Sequence, residues 1–137
     1  IAQVGKYGDH MINEWSTQTF NGHGDIMSHN CEWSNWVNGN SGTGSGFGTC
    51  SQYLDQAAVV QVKCQGAQCE SVQLKCCKLN AGYRFVDGGV FVSSWQTDTS
   101  PLNPCPTGSV VTGLGIKAIT SSAFEIKPQC TSLYYRP

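Results

Sequence analysis

Apolar and polar residues alternate along much of this chain with a two-residue period, the pattern of a β-strand that is buried on one face. The clearest example is residues 71–78, in which Val72 and Leu74 alternate with Gln73 and Lys75. Long stretches with an apolar period near 3.6 residues, which would indicate amphipathic helices, are absent from the sequence. The pattern therefore predicts an all-β fold.

A hairpin is predicted in the middle of the chain. Residues 57–63 form a run rich in valine, which favours a strand because β-branched side chains pack well on a pleated surface. Residues 65–68, Gln-Gly-Ala-Gln, separate this run from the alternating segment and are typical of a turn. The two strands would then be antiparallel neighbours, with Cys64 and Cys69 at the base of the turn.

Further strands and one long loop follow from the same reasoning. Residues 110–117 and 123–127 predict a second hairpin, and residues 132–135 have strand composition. Residues 85–92 contain a Gly-Gly pair, which predicts a turn or bulge between short strands. Residues 38–48, NGNSGTGSGFG, are so rich in small residues that we predict a loop.

A weak internal repeat divides the chain into two halves, roughly residues 31–78 and 90–137. Each half contains, in the same order, a Ser-x-Trp step, a loop that leads to a cysteine, a pair of valines and a closing cysteine, and the cysteine spacing is nearly equal. A shorter echo joins residues 13–16 to residues 31–34. We therefore predict one β domain over residues 1–137, a small disulfide-rich β-prism-like or pseudo-symmetric barrel domain built from two or three repeats.

Eight cysteines in 137 residues are the strongest compositional signal. An even, dispersed set in a short chain is typical of a disulfide framework formed in an oxidising compartment, and predicts a secreted protein. A zinc site is disfavoured because no C-x-x-C pair occurs, and neighbouring residues of a strand point to opposite faces. We expect all of the cysteines to be bonded: Cys31, Cys50, Cys64, Cys69, Cys76, Cys77, Cys105 and Cys130.

The hairpin and the repeat together suggest a pairing scheme, although spacing by itself allows many arrangements. The two cysteines at the base of the predicted hairpin turn are expected to lie within bonding distance of each other. The repeat predicts two further bonds and leaves the fourth by elimination. The scheme is Cys64 with Cys69, Cys105 with Cys130, Cys50 with either Cys76 or Cys77, and Cys31 with the remaining one of that pair.

The charge balance argues against a polyanionic partner. The chain has a net charge of -1 and only 12% charged residues, and the nearest approach to a basic cluster is Lys63, Lys75 and Lys78. Nucleic-acid binding needs a concentrated basic surface, so we expect none. No apolar run approaches the roughly 20 residues that span a bilayer. The chain begins at Ile1 without a methionine, which we interpret as a processed or excised product.

Catalytic and metal-binding patterns are weak. The most suggestive metal set is His23 and Asp25, two residues apart, with His10 or His29, but a solvated polar segment explains these residues as well. We therefore predict no metal and no other cofactor.

Acidic residues are available for glycoside hydrolysis, but no two of them are tied together by the sequence. No G-x-S-x-G nucleophile elbow occurs. We assign no catalytic residue and leave enzymatic activity open. The acids considered are Glu14, Glu32, Glu70 and Asp87.

Sugar recognition requires aromatic faces for stacking, small polar side chains for hydroxyl groups, and glycine for close approach to the backbone. The segment from residue 33 to residue 48 offers all three, although a tryptophan in a β-rich domain is equally a packing residue. A second, smaller aromatic cluster lies near the C-terminus. The predicted ligand-binding residues are Trp33, Asn35, Asn38, Asn40 and Phe47 in the first segment, and Tyr134, Tyr135 and Arg136 in the second.

Two short motifs carry a resemblance to known families. Residues 105–113, CPTGSVVTG, resemble a step that recurs in vitelline-membrane outer-layer proteins. Residues 64–69, CQGAQC, followed by V-x-L-x-C-C at residues 72–77, resemble the cysteine-rich β-prism repeats attached to some perforin-like proteins. The first half departs from the pattern, with CSQ at residues 50–52 in place of a Cys-Pro-x-Gly step. The resemblance implies a secreted β-prism-like module that binds carbohydrate or membrane surfaces.

The favoured hypothesis is a secreted, lectin-like binding module for carbohydrate on a cell surface or in the extracellular matrix. The first alternative is a membrane-binding module of a perforin-like or toxin-like assembly, in which exposed aromatic residues such as Phe47 enter lipid. The second alternative is a secreted glycan hydrolase. The sequence does not specify an oligomeric state.

Overall fold

The computed structural model describes residues 1–7, 10–14, 26–38, 45–66, 69–96, 103–118 and 124–136. Within these ranges the chain forms strands and one short 3-10 helix, so the predicted all-β class is confirmed. The strands are β1 (Gln3–Tyr7), β2 (His10–Glu14), β3 (Met27–Trp33), β4 (Val37–Asn38), β5 (Ser45–Thr49), β6 (Ala57–Gln65), β7 (Ser71–Leu79), β8 (Tyr83–Val92), β9 (Asn103–Pro104), β10 (Ser109–Ala118) and β11 (Phe124–Tyr135), and the 3-10 helix is Cys50–Gln52.

The described strands belong to three antiparallel sheets. The N-terminal sheet has the order β2-β1-β9, and the C-terminal sheet has the order β5-β10-β11-β8. In the middle sheet β6 pairs with β7 along most of its length, so β3 and β4 share the other edge of β7, end to end. Both predicted hairpins are present, as β6–β7 and β10–β11.

The main core lies where the three sheets face one another. Each sheet contributes alternate, fully buried aliphatic residues, for example Val4 from β1, Leu74 from β7 and Leu114 from β10. Burial of such a side chain stabilises the fold by roughly 1.5–3 kcal/mol. A smaller second core forms around Tyr83 of β8 and Leu133 of β11. It lies on the side of the strands that faces away from the main core. The half-buried alternation seen in the sequence thus corresponds to strands that cover a common interior.

The segment predicted as a loop, residues 38–48, contains strand residues, so the prediction was wrong for residue 38, the end of β4, and for residues 45–48. Residues 45–49 form β5, which pairs with β10. The glycines of β5 serve close packing: a Cβ at Gly48 would lie 2.5 Å from Val37 Cγ2, and one at Gly46 would collide with the carbonyl oxygen of Asn38. High glycine content suggests flexibility, but here it lets the backbone of β5 approach β4. Residues 39–44 lie outside the described residues.

The Gly-Gly pair at positions 88 and 89 produces a bulge inside one strand rather than a turn between two. β8 pairs with β11 on both sides of the bulge, with Phe85 opposite Leu133 and Val90 opposite Thr131. The residues between Phe85 and Val90 therefore loop out from the ladder. Gly88 has φ of 72°, a conformation that glycine adopts at little cost.

Four disulfides join the eight cysteines, and the pairing agrees with the scheme derived from the sequence. The sequence allowed Cys50 to pair with either of two adjacent cysteines, and strand geometry decides between them. Cys76 points into the main core, where Cys50 lies, whereas Cys77 points to the opposite face, where β3 places Cys31 directly across from it. The bonds are Cys31–Cys77, Cys50–Cys76, Cys64–Cys69 and Cys105–Cys130.

The two hairpins match each other in register. Val59 faces Cys76 in the first and Val111 faces Cys130 in the second, and in each case the ladder is interrupted by a register shift immediately after the valine. In both halves, the strand that ends just before the loop cysteine (Cys50 or Cys105) pairs with a strand of a sheet that does not contain the hairpin of its own half. β5 pairs with β10, and β9 pairs with β1. The sequence repeat thus has a structural counterpart.

The Ser-x-Trp steps occupy matching positions as well. The amide of Ser34 donates to the carbonyl of Leu74 at 2.8 Å, and the amide of Ser93 donates to the carbonyl of Pro128 at 3.1 Å. Leu74 and Pro128 both lie two residues before the closing cysteine of their half. In both halves the serine of the Ser-x-Trp step is therefore hydrogen-bonded to the second strand of the hairpin, at the same distance from the closing cysteine. The tryptophan follows two residues after the serine in each half.

Removal of individual disulfides should affect stability unequally. We expect Cys50→Ala/Cys76→Ala to be destabilised more than Cys64→Ala/Cys69→Ala, because the first bond spans 26 residues and the second spans 5. Loop-closure entropy alone gives about 3.5 kcal/mol for the longer loop and about 2 kcal/mol for the shorter. Guanidinium unfolding of both variants under non-reducing conditions measures the difference, and the reverse order would contradict it.

Where the chain carries a free amine at Ile1, this group should make the free energy of unfolding depend on pH. This group donates to the carbonyl of Val59 at 2.8 Å in the core, and its burial lowers its pKa from 8.0 to about 5. Between these values the unfolded chain binds more protons than the folded chain, so stability decreases as the pH falls from 8 towards 5. The slope is at most about 1.4 kcal/mol per pH unit. Chemical unfolding across this range should show the slope for the free amine and lose it in an Nα-acetylated chain; equal slopes would contradict the assignment.

Candidate functional site

The two aromatic residues of the predicted loop site lie in different sheets. Trp33 ends β3 in the middle sheet, is 39% exposed, and has the Lys63 ammonium 5.6 Å from its ring centroid. Phe47 lies in β5 of the C-terminal sheet and is 40% exposed. The two rings therefore present two separate aromatic surfaces.

The amide residues of the same predicted site are distributed between surface and structural positions. Asn35 and Asn38 are both exposed. The Asn38 side-chain oxygen accepts a hydrogen bond from the hydroxyl of Ser71, which ties β4 to β7. Asn40 lies outside the described residues.

The C-terminal aromatic cluster is partly structural. The Tyr135 ring packs against Tyr83, with centroids 5.0 Å apart, and a Cβ at Gly82 would lie 2.7 Å from it. The Arg136 amide donates to the carbonyl of Gly82 at 2.6 Å. Tyr134 is 43% exposed. Of this cluster, Tyr134 is therefore the residue whose ring is most available to a ligand.

The outer face of the C-terminal sheet brings together a different set of polar and aromatic groups. Residues that are in register across β5, β10 and β11 form rows, and alternate rows point away from the core. Two successive outward rows have glycine in the central strand, so β10 contributes no side chain to them, and side chains of the flanking strands cover these glycines. These rows are Phe47–Gly115–Lys127 and Thr49–Gly113–Gln129.

A pocket of about 270 Å³ lies at one end of this face, beyond the second of these rows. Thr112 and Thr131, each only 5% exposed, line it, and their hydroxyl oxygens are 2.7 Å apart. The Gln129 amide donates to the Thr112 hydroxyl at 3.0 Å. Whichever threonine donates to the other, one hydroxyl proton is not used within this network. The pocket therefore offers a fixed polar base that can donate to a ligand.

The walls of the pocket combine acidic and apolar groups. The looped-out part of β8 contributes Phe85, Val86 and the carboxylate of Asp87, and the segment between the 3-10 helix and β6 contributes Asp55 and Gln56 from the other side. Both aspartates are exposed, so their side chains are accessible at the entrance.

The backbone of Gln56 is in the left-handed region, with φ of 52°. This conformation costs a non-glycine residue of the order of 1 kcal/mol or more, and it is often found where the chain is held for function. Its carbonyl accepts a hydrogen bond from the amide of Leu79 at 2.9 Å, which fixes this wall of the pocket to the end of β7.

The paired hydroxyl groups at the base of the pocket come from the second half of the chain, whereas Asp55 and Gln56 in its wall come from the first. In the first half, the position of the Val90–Thr131 pair is taken by Cys31 and Cys77, which are bonded to each other. Thr112, which occupies the register shift of β10, has Val60 as its counterpart in β6. The same backbone geometry thus carries a disulfide and an aliphatic side chain in one half and paired hydroxyl groups in the other.

A cluster of lysine and aromatic side chains lies at the other end of the outer face. The ammonium of Lys127 is 4.4 Å from the centroid of Trp95 and 5.9 Å from that of Phe47, and the ammonium of Lys117 is 5.5 Å from the Trp95 centroid. Gly115 lies among them: a Cβ there would be 2.8 Å from Phe47 and 3.1 Å from Trp95. Glycine is therefore required for the aromatic rings to approach the sheet.

Sequence reasoning did not find most of the pocket residues. Asp87 is among the candidate acids, but the predicted site residues do not include Asp55, Thr112 or Thr131. One signal was available: Thr131 replaces the second cysteine of the adjacent pair in the first half. A polar residue at a repeat position that is apolar in the other copy marks a difference between the halves.

The described residues contain no group of three or more His, Cys, Asp or Glu side chains that could hold a metal ion. His29 is exposed on β3, whereas His23 and Asp25 lie outside the described residues. Among the residues that are described, no helix is long and apolar enough to cross a bilayer.

Comparison with known proteins gives no assignment. No protein-family model matches the chain, and no match was found among curated proteins or among solved structures. The resemblance to vitelline-membrane outer-layer proteins and perforin-associated repeats therefore stays a prediction based on short motifs.

Proposed function

We propose that the protein is an extracellular, disulfide-stabilised carbohydrate-binding module whose ligand occupies the pocket on the C-terminal sheet. The observation that carries this proposal is the buried Thr112–Thr131–Gln129 network, which lines a pocket with two carboxylates at its entrance. Sugar hydroxyl groups both donate and accept hydrogen bonds, and carboxylate, amide and hydroxyl side chains complement them in both senses. Four disulfides are typical of a protein that works outside the reducing cytosol.

The size and lining of the pocket favour a single sugar ring. Sites for drug-sized ligands usually have volumes of about 300–1,000 Å³, and this pocket lies just below that range. Phe85 supplies an aromatic surface against which the C–H face of a sugar ring can pack. The open end of the pocket lets the rest of an oligosaccharide extend over the surface of the sheet.

A substitution at the entrance of the pocket should weaken binding without unfolding the protein. We expect Asp87→Asn to lower the affinity for the best ligand found on a glycan array by about tenfold or more, since hydrogen bonds to charged groups contribute about 1.5–3 kcal/mol. Asp87 is exposed on the looped-out part of β8, so the melting temperature should remain near that of the wild type. Thr131→Val should have a similar effect on affinity, with some loss of stability.

Glu32→Gln, an exposed acid on the middle sheet, is the matched control and should bind normally. Equal binding by wild type, Asp87→Asn and Thr131→Val would exclude the pocket as the site. Absence of any glycan ligand would exclude the proposed function. Release of a shorter sugar from the ligand, lost in Asp55→Asn or Asp87→Asn, would instead indicate a glycan hydrolase.

A membrane-surface module is the second candidate, and one observation favours it. Val90, Phe91 and Val92 at the end of β8 are 56%, 52% and 42% exposed, and Val86 on the same strand is 39% exposed. Consecutive exposed apolar residues of this kind are common where a protein meets lipid or another protein. Co-sedimentation with liposomes, weakened in Phe91→Ser but unaffected by free sugars, would select this function.

A further inference from the structure

The lysine–aromatic cluster of Phe47, Trp95, Lys117 and Lys127 faces the same side of the C-terminal sheet as the pocket. Lys127 and Thr131 are both on β11 and both point outward, with Gln129 between them. At about 3.3 Å per residue the two side chains are roughly 13 Å apart along the strand. One glycine-centred row, Thr49–Gly113–Gln129, lies between the two positions, so β10 places no side chain between the pocket and the cluster.

The charges along this face are separated. The pocket end carries Asp55 and Asp87, and the cluster end carries Lys117 and Lys127, with Glu125 opposite Lys117 in register. The whole chain has a net charge of only -1, so the separation is a local property of this face. A ligand that matches it has an uncharged, hydroxyl-rich end and an anionic group one or two sugar units away.

Contacts with the aromatic rings hold the two ammonium groups. Both lie within 6 Å of the Trp95 centroid, the range of cation–π attraction, and Lys127 also lies within this range of Phe47. Each ammonium retains further donors that can bind an anionic oxygen. The exposed ring of Phe47 adds a stacking surface beside them.

We propose that this cluster is an anion subsite, so that the ligand class of the carbohydrate site is acidic oligosaccharides that carry a carboxylate or a sulfate group. The inference rests on the proposed function, because it adds a second subsite to the same ligand path. It also gives Phe47, which does not line the pocket, a role as a stacking surface for the ligand.

The test uses matched pairs of oligosaccharides that differ only in charge. The probes are tetrasaccharides of hyaluronan and alginate with their carboxyl-reduced forms, and the carboxyl-reduced tetrasaccharide of chondroitin sulfate with its desulfated form. We expect the wild type to bind at least one acidic member about tenfold or more tightly than its uncharged counterpart at low ionic strength, and to lose much of this preference in high salt. Preference within the first two pairs identifies a carboxylate, and preference in the third identifies a sulfate.

The lysine variants separate this subsite from the pocket. Lys117→Gln and Lys127→Gln should each reduce the affinity for the acidic probe by about two- to fivefold, as expected for an exposed charge pair, and leave the affinity for its uncharged form unchanged. Lys63→Gln is the matched control, because Lys63 also lies over a tryptophan ring but on the middle sheet. It should bind like the wild type.

The possible failures are distinguishable. Equal binding of the charged and uncharged members, with no effect of the two lysine variants, would overturn the anion subsite and leave the pocket in place. Charge preference that is lost equally in Lys63→Gln would show general electrostatic attraction and would also overturn it. Binding of acidic probes that depends on Lys117 and Lys127 but not on Asp87 would support the subsite and exclude the pocket.

Discussion

The structure depends on the adjacent cysteines Cys76 and Cys77, which project from opposite faces of β7 and form two separate disulfides. Neighbouring residues of a strand point in opposite directions, so the two bonds necessarily reach different parts of the molecule. Cys76 holds the 3-10 helix at Cys50 from within the main core, and Cys77 holds β3 at Cys31 from the other side. The segment that follows Cys50 carries Asp55 and Gln56, so one of these bonds also anchors a wall of the candidate site.

Glycines determine how the strands of the C-terminal sheet approach their neighbours. Gly48 lets β5 pack against Val37, and Gly115 lets the rings of Phe47 and Trp95 come down onto β10. A side chain at either position would have to displace an atom that lies less than 3 Å away. Gly48, one of the small residues that suggested a loop, therefore produces a close contact between two strands.

The two halves of the chain show how one backbone plan can serve two purposes. Both hairpins have a buried valine opposite the closing cysteine and a register shift immediately after it. In the first half the neighbouring positions hold the Cys31–Cys77 bond, which strengthens the fold. In the second half Thr131 stands where Cys77 would be, and its hydroxyl is paired with that of Thr112. Paired hydroxyl groups can be buried at acceptable cost, and they leave hydrogen-bonding capacity that a disulfide lacks.

The sequence by itself determined the fold class, both hairpins and the disulfide scheme. Residues 57–63 and 71–78 have strand periodicity, and such periodicity reports which side of a strand is buried regardless of what covers it. The repeat predicted the bonds of Cys105 and of Cys50, up to the choice between two adjacent partners. That choice depends on which face of β7 meets the core, which is a tertiary property.

Only the tertiary structure decided where the candidate site lies. Asp55, Asp87 and Thr131 come from three distant segments, and no local pattern indicates that they line one pocket. Trp33 and Phe47 are close in sequence, yet they lie on different sheets, because β5 leaves the first half to pair with β10. Local periodicity specifies the direction of a side chain relative to its own strand, whereas a binding site depends on which strands are brought together, and long-range pairing determines that.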